Sequence, residues 1–228
     1  MKQMTKLFIS VLLLGSVTSA GAQAYKTHEV SKAPAFHAIE VNGQDIDVHF
    51  SQGEEFSFFI KGPAKLRKAA KVKVKEDTLF VEYHPPFFVD DEEEISLYVV
   101  APQLNRIAVS GEADFESTTP FQGQDLTVKT HQNGEVSMKN VTVGRLNIDA
   151  RGSSSVEIDY IKADHIRVSS LDRAEVELSG STGQLEIAKK GMFAEINTKK
   201  LTTHPINSEA KSSGQATKNG SVEFSFND

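Results

Sequence analysis

The residues best suited to ligate a metal or move a proton near neutral pH are seven histidines: His28, His37, His49, His84, His131, His165 and His204. They are dispersed, and no pair has zinc-ligand spacing with a third ligand nearby. His37 and His49 alternate with apolar residues, which places both on the solvent side of strands. Cysteine is absent, so disulfides, thiolate zinc sites, cysteine nucleophiles and a lipid-modified N-terminal cysteine are excluded. The nucleophile motif G-x-S-x-G does not occur, and Ser153, Ser154 and Ser155 after Gly152 read as turn residues. Carboxylates are the remaining candidates. Glu135, Glu157, Glu175 and Glu195 recur near equivalent places along the second half, together with Asp159 and Glu177. Polysaccharide enzymes gather such groups, but no carboxylate pair placed across a sugar can be picked out. A stacked acidic row is also what a solvated face looks like, and it discourages edge-to-edge association. The sequence therefore nominates no catalytic residue, no metal ligand and no cofactor.

One segment combines stiffness, aromatics and charge. YHPPFFVDDEEE runs from Tyr83 to Glu94, with Pro85-Pro86 breaking the strand and five consecutive acids closing it. Adjacent prolines stiffen the loop, and the acids repel one another and stay in water. The plain reading is a solvated loop whose phenylalanines tuck onto the core. The functional reading is a contact site for a sugar ring or a protein groove, formed by Tyr83, His84, Pro85, Pro86, Phe87 and Phe88 with Asp90 and Asp91 on an acidic rim. Five acids in a row lack the alternating spacing of a calcium loop.

These residues must be held by strands. From Leu126 an apolar-x-apolar pattern recurs: Leu126/Val128, Leu146/Ile148, Ile166/Val168, Leu185/Ile187 and Ile206/Ser208, in steps of 19 to 21 residues. A second series interleaves with it: Val136/Met138, Val156/Ile158, Val176/Leu178 and Ala194/Ile196, and Ile107/Val109 with Ala113/Phe115 is an earlier copy. Between the two series sit SGE at Ser110, NGE at Asn133, RGS at Arg151, LDR at Leu171, KGM at Lys190 and SGQ at Ser213. All but LDR contain glycine, which takes positive φ at no steric cost, and Asp172 is a fair substitute. Period-two patterning marks strands with one buried face, and a constant step predicts a β-solenoid of short strands stacked in 20-residue rungs. Val222, Phe224 and Phe226 alternate on one face and would cover its C-terminal end.

The preceding stretch is also strand-rich: Phe36–Val41, Asp45–Phe50, Glu55–Ile60, Val72–Lys75, Thr78–Tyr83 and Ile95–Val100, separated by turn signals at Asn42-Gly43, Gln52-Gly53, Gly62-Pro63 and Glu76-Asp77, with one or two helical turns over Ala64–Ala70. The expected organisation is a signal peptide over 1–24 and a single domain over 25–228, with N-terminal strands at 36–103 and rungs plus cap at 104–228.

The export signal rests on Lys2 and Lys6, the apolar run Leu7–Val17, and the small-x-small triplets Ala20-Gly21-Ala22 and Ala22-Gln23-Ala24. Eleven residues are too few to span a bilayer, which takes about 20, so no membrane span is expected after cleavage. Removal of Lys2 and Lys6 takes the formal charge from −6 to about −8. That balance, with no basic stripe, argues against a nucleic-acid partner.

The chain resembles the head GIN domain family, putative auto-transporter adhesin heads of exported bacterial proteins. The resemblance rests on the opening FHAIEVNGQDIDVHFSQG, the central APQLNRIAVSGEADFES and the serial glycine turns, over Phe36 to about Phe226. It implies an all-β, right-handed parallel β-helix. It also implies an exported non-enzymatic protein presenting a binding or adhesion surface in the periplasm or at the cell surface or outer membrane of a Gram-negative bacterium. The ligand would be a glycan or a protein, and a homo-oligomer is compatible with that role. The alternatives are a carbohydrate-active enzyme on the same scaffold and a periplasmic structural component.

Overall fold

The computed structural model describes residues 31–85 and 95–204. Thirteen strands form one hydrogen-bonded sheet. In chain order they are β1 (Ser31–Lys32), β2 (Ala38–Gln52), β3 (Ser57–Lys61), then the short helix α1 (Ala64–Arg67), β4 (Lys71–Lys75), β5 (Thr78–Tyr83), β6 (Ile95–Ala101), β7 (Arg106–Ser117), β8 (Phe121–Gln132), β9 (Glu135–Lys139), β10 (Val141–Ala150), β11 (Ser155–Ser170), β12 (Glu175–Lys190) and β13 (Glu195–Thr203). The expected helical turns are α1, and the six expected N-terminal strands are present. The first two of them fuse into β2: the Asn42-Gly43 pair, read as a turn, lies inside the strand, and Gly43 pairs with both Tyr83 and Gly111.

The expected β-helix of short strands stacked in separate rungs is corrected. Five strands close on themselves through parallel hydrogen bonding, β7 to β8, β8 to β10, β10 to β11, β11 to β9 and β9 back to β7. The result is a closed five-stranded parallel barrel with extra strands on both flanks. The physical cause is strand length. In β11 and β12 the second short strand expected of one repeat merges with the first of the next into a single strand of 16 residues, and β7 and β11 pair with different neighbours at their two ends. β7 thus pairs with β8 over Arg106–Gly111 and with β9 over Asp114–Glu116. β11 pairs with β9 over Ser155–Asp159 and with β10 over Lys162–Ser170. The twenty-residue step survives as register: Leu126 lies beside Leu146, Leu146 beside Ile166, and Ile166 beside Leu185.

The core is the predicted apolar set. Leu126, Val128, Val136, Leu146, Val156, Ile166, Val168, Val176 and Leu178 are all buried in one cluster. Parallel in-register pairing puts each such side chain on a like neighbour about 4.8 Å away, so the cluster is continuous along the barrel. Ile187 departs from the pattern at 50% exposed. β13 follows β12 only as far as Thr182↔Thr203, so no described strand lies beyond Ile187. Ile206, Ser208 and the Val222–Phe226 cap lie outside the described residues, as does the signal segment.

Two corners bend the long strands. In the first, Gly111, Gln132, Gly152 and Asp172 take positive φ of 86°, 61°, 81° and 60°. Gly111 has no alternative, because an added Cβ would overlap the Gly43 carbonyl oxygen. Asp172 does stand in for glycine, and its carboxylate accepts the Gly152 N–H at 3.1 Å. The second corner, at Asn140, Tyr160 and Gly180, carries positive φ of 57°, 57° and 120°.

Candidate functional site

Among the described residues several surface depressions gather polar side chains from more than one strand, and two of them lie at the glycine corner and at an acidic row. The first is a cleft at the glycine corner. Asn42 and Gln44 come from β2, Glu112 from β7, Gln132 and Asn133 from the end of β8 and its turn, and His84 from the residue after β5. Parallel pairing positions them: Gln44 lies opposite Glu112 and Gly111 opposite Gln132. The Asn133 N–H donates to the Gly111 carbonyl at 2.9 Å, and the Asn133 side-chain amide donates to the Glu112 carboxylate at 3.4 Å. Amides, one carboxylate and one imidazole can donate to and accept from hydroxyls or peptide groups. Of the loop residues nominated from the sequence, His84 lines this cleft, and Pro85, next in the chain, is half-buried. The place of Tyr83 is corrected: it is 1% exposed. It is the last residue of β5, and the alternation that points Leu79 and Val81 inward points Tyr83 inward too. Pro86, Phe87, Phe88, Asp90 and Asp91 lie outside the described residues.

The second region is an acidic face. Asp47 on β2, Asp114 on β7 and Glu135 on β9 stand in register, one strand apart. Partial desolvation against the sheet pushes the Asp114 carboxyl up to about 6, with further contributions from Glu135, Asp47 and Asp45. Beside this row the His49 imidazole meets the Glu116 carboxylate at 2.6 Å. His49 stacks on Tyr98 at 4.6 Å between ring centroids, and Tyr98 stacks on Phe59 at 4.5 Å. Tyr98 thus has a ring on each face. His49 is held between Tyr98 and Glu116, with 21% of its side chain exposed; His37, which meets Asp77 at 2.8 Å, is the more exposed of the two.

The acidic residues seen in the sequence divide into two rows. One runs Glu135, Ser155, Glu175, Glu195, and the other Ser137, Glu157, Glu177, Asn197. Glu157 is therefore one row away from the glutamates it was grouped with, and Asp159 lies opposite Lys139. No group of three or more histidines and carboxylates able to hold a metal occurs among the described residues. The face carrying β8, β10, β11 and β12 has a different charge pattern. Arg145 pairs with Asp125, Arg151 with Asp149 and Arg167 with Glu186, and these pairs balance the charge in place. Hydrogen bonds from Arg145 and Arg151 hold the Asp125 and Asp149 carboxyls below their ordinary range.

The corner cleft was not legible as a site, because Asn42, Gln44, Glu112, Gln132 and Asn133 are scattered over 92 positions of sequence. The usable signal was that they flank the glycines of Asn42-Gly43, SGE and NGE, which the parallel register brings together.

Comparison with known proteins adds the following. Among solved structures, a crystal structure described as a putative adhesin from Parabacteroides distasonis ATCC 8503 superposes with a TM-score of 0.70 at 19% identity, covering 80% of this chain and 76% of that one. A putative adhesin from Parabacteroides merdae ATCC 43184 gives 0.67 at 21% identity, covering 78% and 73%. A putative lipid binding protein from Parabacteroides distasonis ATCC 8503 gives 0.65 at 15% identity, covering 78% and 74%. At these identities the likeness establishes shared fold alone. No curated protein sequence matches the chain. Residues 35–224 match the family described as putative auto-transporter adhesin, head GIN domain, and the chain belongs to that family.

Proposed function

We propose that this protein is an exported, non-enzymatic, adhesin-like component of the cell envelope that takes a glycan or protein ligand at the corner cleft. The observation that carries this reading is the convergence of Asn42, Gln44, Glu112, Asn133 and His84 at the glycine corner. These groups are supplied by separate strands of a rigid wall, so they are pre-organised and lose little freedom on binding. Amide and carboxylate side chains match hydroxyl groups, which favours a glycan. The family description and the two adhesin-named neighbours support the adhesive role. Placement in the periplasm or at the cell surface accords with the basic, apolar and small-residue order of the first 24 residues.

One observation favours a carbohydrate-active enzyme as a second reading. Asp114 is a carboxyl poised near neutrality beside Asp47 and Glu135, the kind of environment that separates a general acid from its ionised partner. It lines a depression of about 270 Å³, close to the 290 Å³ of the corner cleft; this reading ranks second because the family description names an adhesin.

The two readings separate in one experiment. Wild-type protein and the His84→Ala/Asn133→Ala double variant are applied to a glycan panel and to isolated envelope fractions, and the supernatants are assayed for released sugars. Retention of ligand by the wild type, weakened at least tenfold in the double variant, with no product, is the expected result. Release of reducing or unsaturated sugars, abolished by Asp114→Asn, establishes the enzyme instead.

A further inference from the structure

The turn between β12 and β13 differs from the turns stacked beside it on the first corner. The backbone fixes the stack. Arg151 donates its N–H to the Thr130 carbonyl, Leu171 to Ala150 and Gly191 to Ser170, at 3.0, 2.9 and 2.8 Å. On the far side of the turn Glu175 donates to Ser154 and Glu195 to Ala174, at 2.9 and 3.0 Å. Met192 and Phe193 therefore take the places that Asp172 and Arg173 hold in one neighbouring turn, and Gly152 and Ser153 in the next. Small or charged residues in water give way to two large apolar ones. Met192 is 91% exposed and Phe193 75% exposed, while Ala194 beside them is buried. The Ala194 N–H closes the turn onto the Gly191 carbonyl at 3.4 Å. Two adjacent apolar side chains are thus held outward by a bonded turn. Packing inside the barrel makes no use of them, and such a pair marks a contact surface.

The charge around the pair says what it meets. Lys189 and Lys190 precede it directly, and both are exposed, as is Arg173 on the adjacent turn. Of the nearby acids, Asp172 already accepts the Gly152 N–H at 3.1 Å, and Glu195 opens β13. Residues 189–193 carry two positive charges and no acid, in a chain of formal charge −6. We propose that this turn is a membrane-surface contact. Met192 and Phe193 enter the headgroup layer of a bilayer, and Lys189, Lys190 and Arg173 meet its anionic phosphates. An apolar tip with a basic flank is the composition of an interfacial anchor. A lysine there lays its alkyl stem along the apolar boundary and keeps its ammonium among the headgroups, and an anionic surface attracts each such charge. A groove on another protein would also take the apolar pair, but the basic flank on an acidic chain selects an anionic surface. The tip is held by backbone hydrogen bonds, so little freedom is lost on contact. Two side chains and three cations give a reversible attachment and no span. None of the residues lining the corner cleft belongs to this turn, so the two contacts are separate.

The test sediments the secreted full-length chain with vesicles of mixed phosphatidylethanolamine and phosphatidylglycerol, and with vesicles of phosphatidylcholine alone, at low and high salt. The variants are Met192→Ser/Phe193→Ser, Lys189→Gln/Lys190→Gln and the control Tyr160→Ser, whose side chain is 68% exposed at the second corner. The expected result is salt-sensitive binding of the wild type to the phosphatidylglycerol vesicles and little to phosphatidylcholine. Each double variant should weaken that binding by about tenfold or more, and Tyr160→Ser should leave it unchanged. All three should melt with the wild type, because the altered side chains are exposed. The chain has no tryptophan, so Phe193→Trp supplies a single reporter whose emission should move to the blue on the anionic vesicles. A wild type that binds neither vesicle overturns the proposal, as does undiminished binding by Met192→Ser/Phe193→Ser. So does a wild-type dimer that this variant dissolves without any loss of vesicle binding, which would make the turn a contact between copies of the chain.

Discussion

Ile166 is the position where the register of the barrel can be tested most sharply. It is 1% exposed, it pairs with Leu146 on one side and Leu185 on the other, and its neighbour in sequence, Arg167, points outward to Glu186. Ile166→Ala removes three methyl or methylene groups from a packed position and leaves a void. Such truncations cost about 2–5 kcal/mol, and the well-packed Leu146 and Val168 on the barrel's inner face leave little room for collapse. For a domain of this size each kcal/mol moves Tm by about 2–4 °C. The expected loss is therefore about 4–20 °C. Ile166→Asp goes further, because an unpaired carboxylate would have to be buried or protonated at a cost of several kcal/mol. Arg167→Ser gives up an exposed pair at 3.5 Å, and exposed pairs are worth about 0–1 kcal/mol. Thermal melting followed by circular dichroism on all three variants decides it. Equal melting temperatures for Ile166→Ala and Arg167→Ser would refute the assignment of inner and outer faces, since a one-residue slip exchanges them.

Acid should stabilise the barrel at Asp114. Its folded-state value of about 6 lies above the ordinary 3.8, so the folded state holds the proton more tightly; stability is greatest below about pH 4 and declines as pH rises to about 6. Because the Asp114 side chain is exposed and screened, the effect is about 1 kcal/mol at most. Asp114→Asn should raise Tm at pH 7.5 and leave it unchanged at pH 3.5, and a gain that persists at pH 3.5 contradicts the assignment. Gly111→Ala sets a Cβ against the Gly43 carbonyl at a φ of 86° and should lower Tm by at least 5 °C or prevent folding; an unchanged Tm removes the tight corner from the account. Intact-mass measurement on protein from the native host should find the mature N-terminus at Gln23 or Tyr25, and a retained Met1 contradicts export.

The apolar positions of β8 to β12 were legible because period-two patterning and a constant step are local in sequence and report burial directly. The first corner was legible at SGE, RGS and LDR, since positive φ there falls on Gly111, Gly152 and Asp172. At NGE the positive φ falls on Gln132 instead, with Gly134 packed against the Val109 backbone. The second corner was invisible, because Asn140 and Tyr160 carry no turn signature strong enough to stand out within strand-like sequence. Closure of the five strands was invisible for a different reason. It depends on β7 and β11 each pairing with two partners through their two ends, and strand pairing is non-local. Of the nominated loop residues, His84 lines the corner cleft. The partners of His84 could not be found without the register, and Tyr83 belonged to the core by the same alternation that marked its strand.

Ligand binding at the corner cleft can be read from a hydrogen-exchange footprint of the full-length protein bound to whichever glycan or envelope fraction retains it. Bound protein should gain protection at residues 42–44, 84, 111–112 and 132–133 and show no change on the paired-charge face around Arg145 and Arg167. Protection confined to the acidic face at Asp47, Asp114 and Glu135, with none at His84 or Asn133, would contradict it.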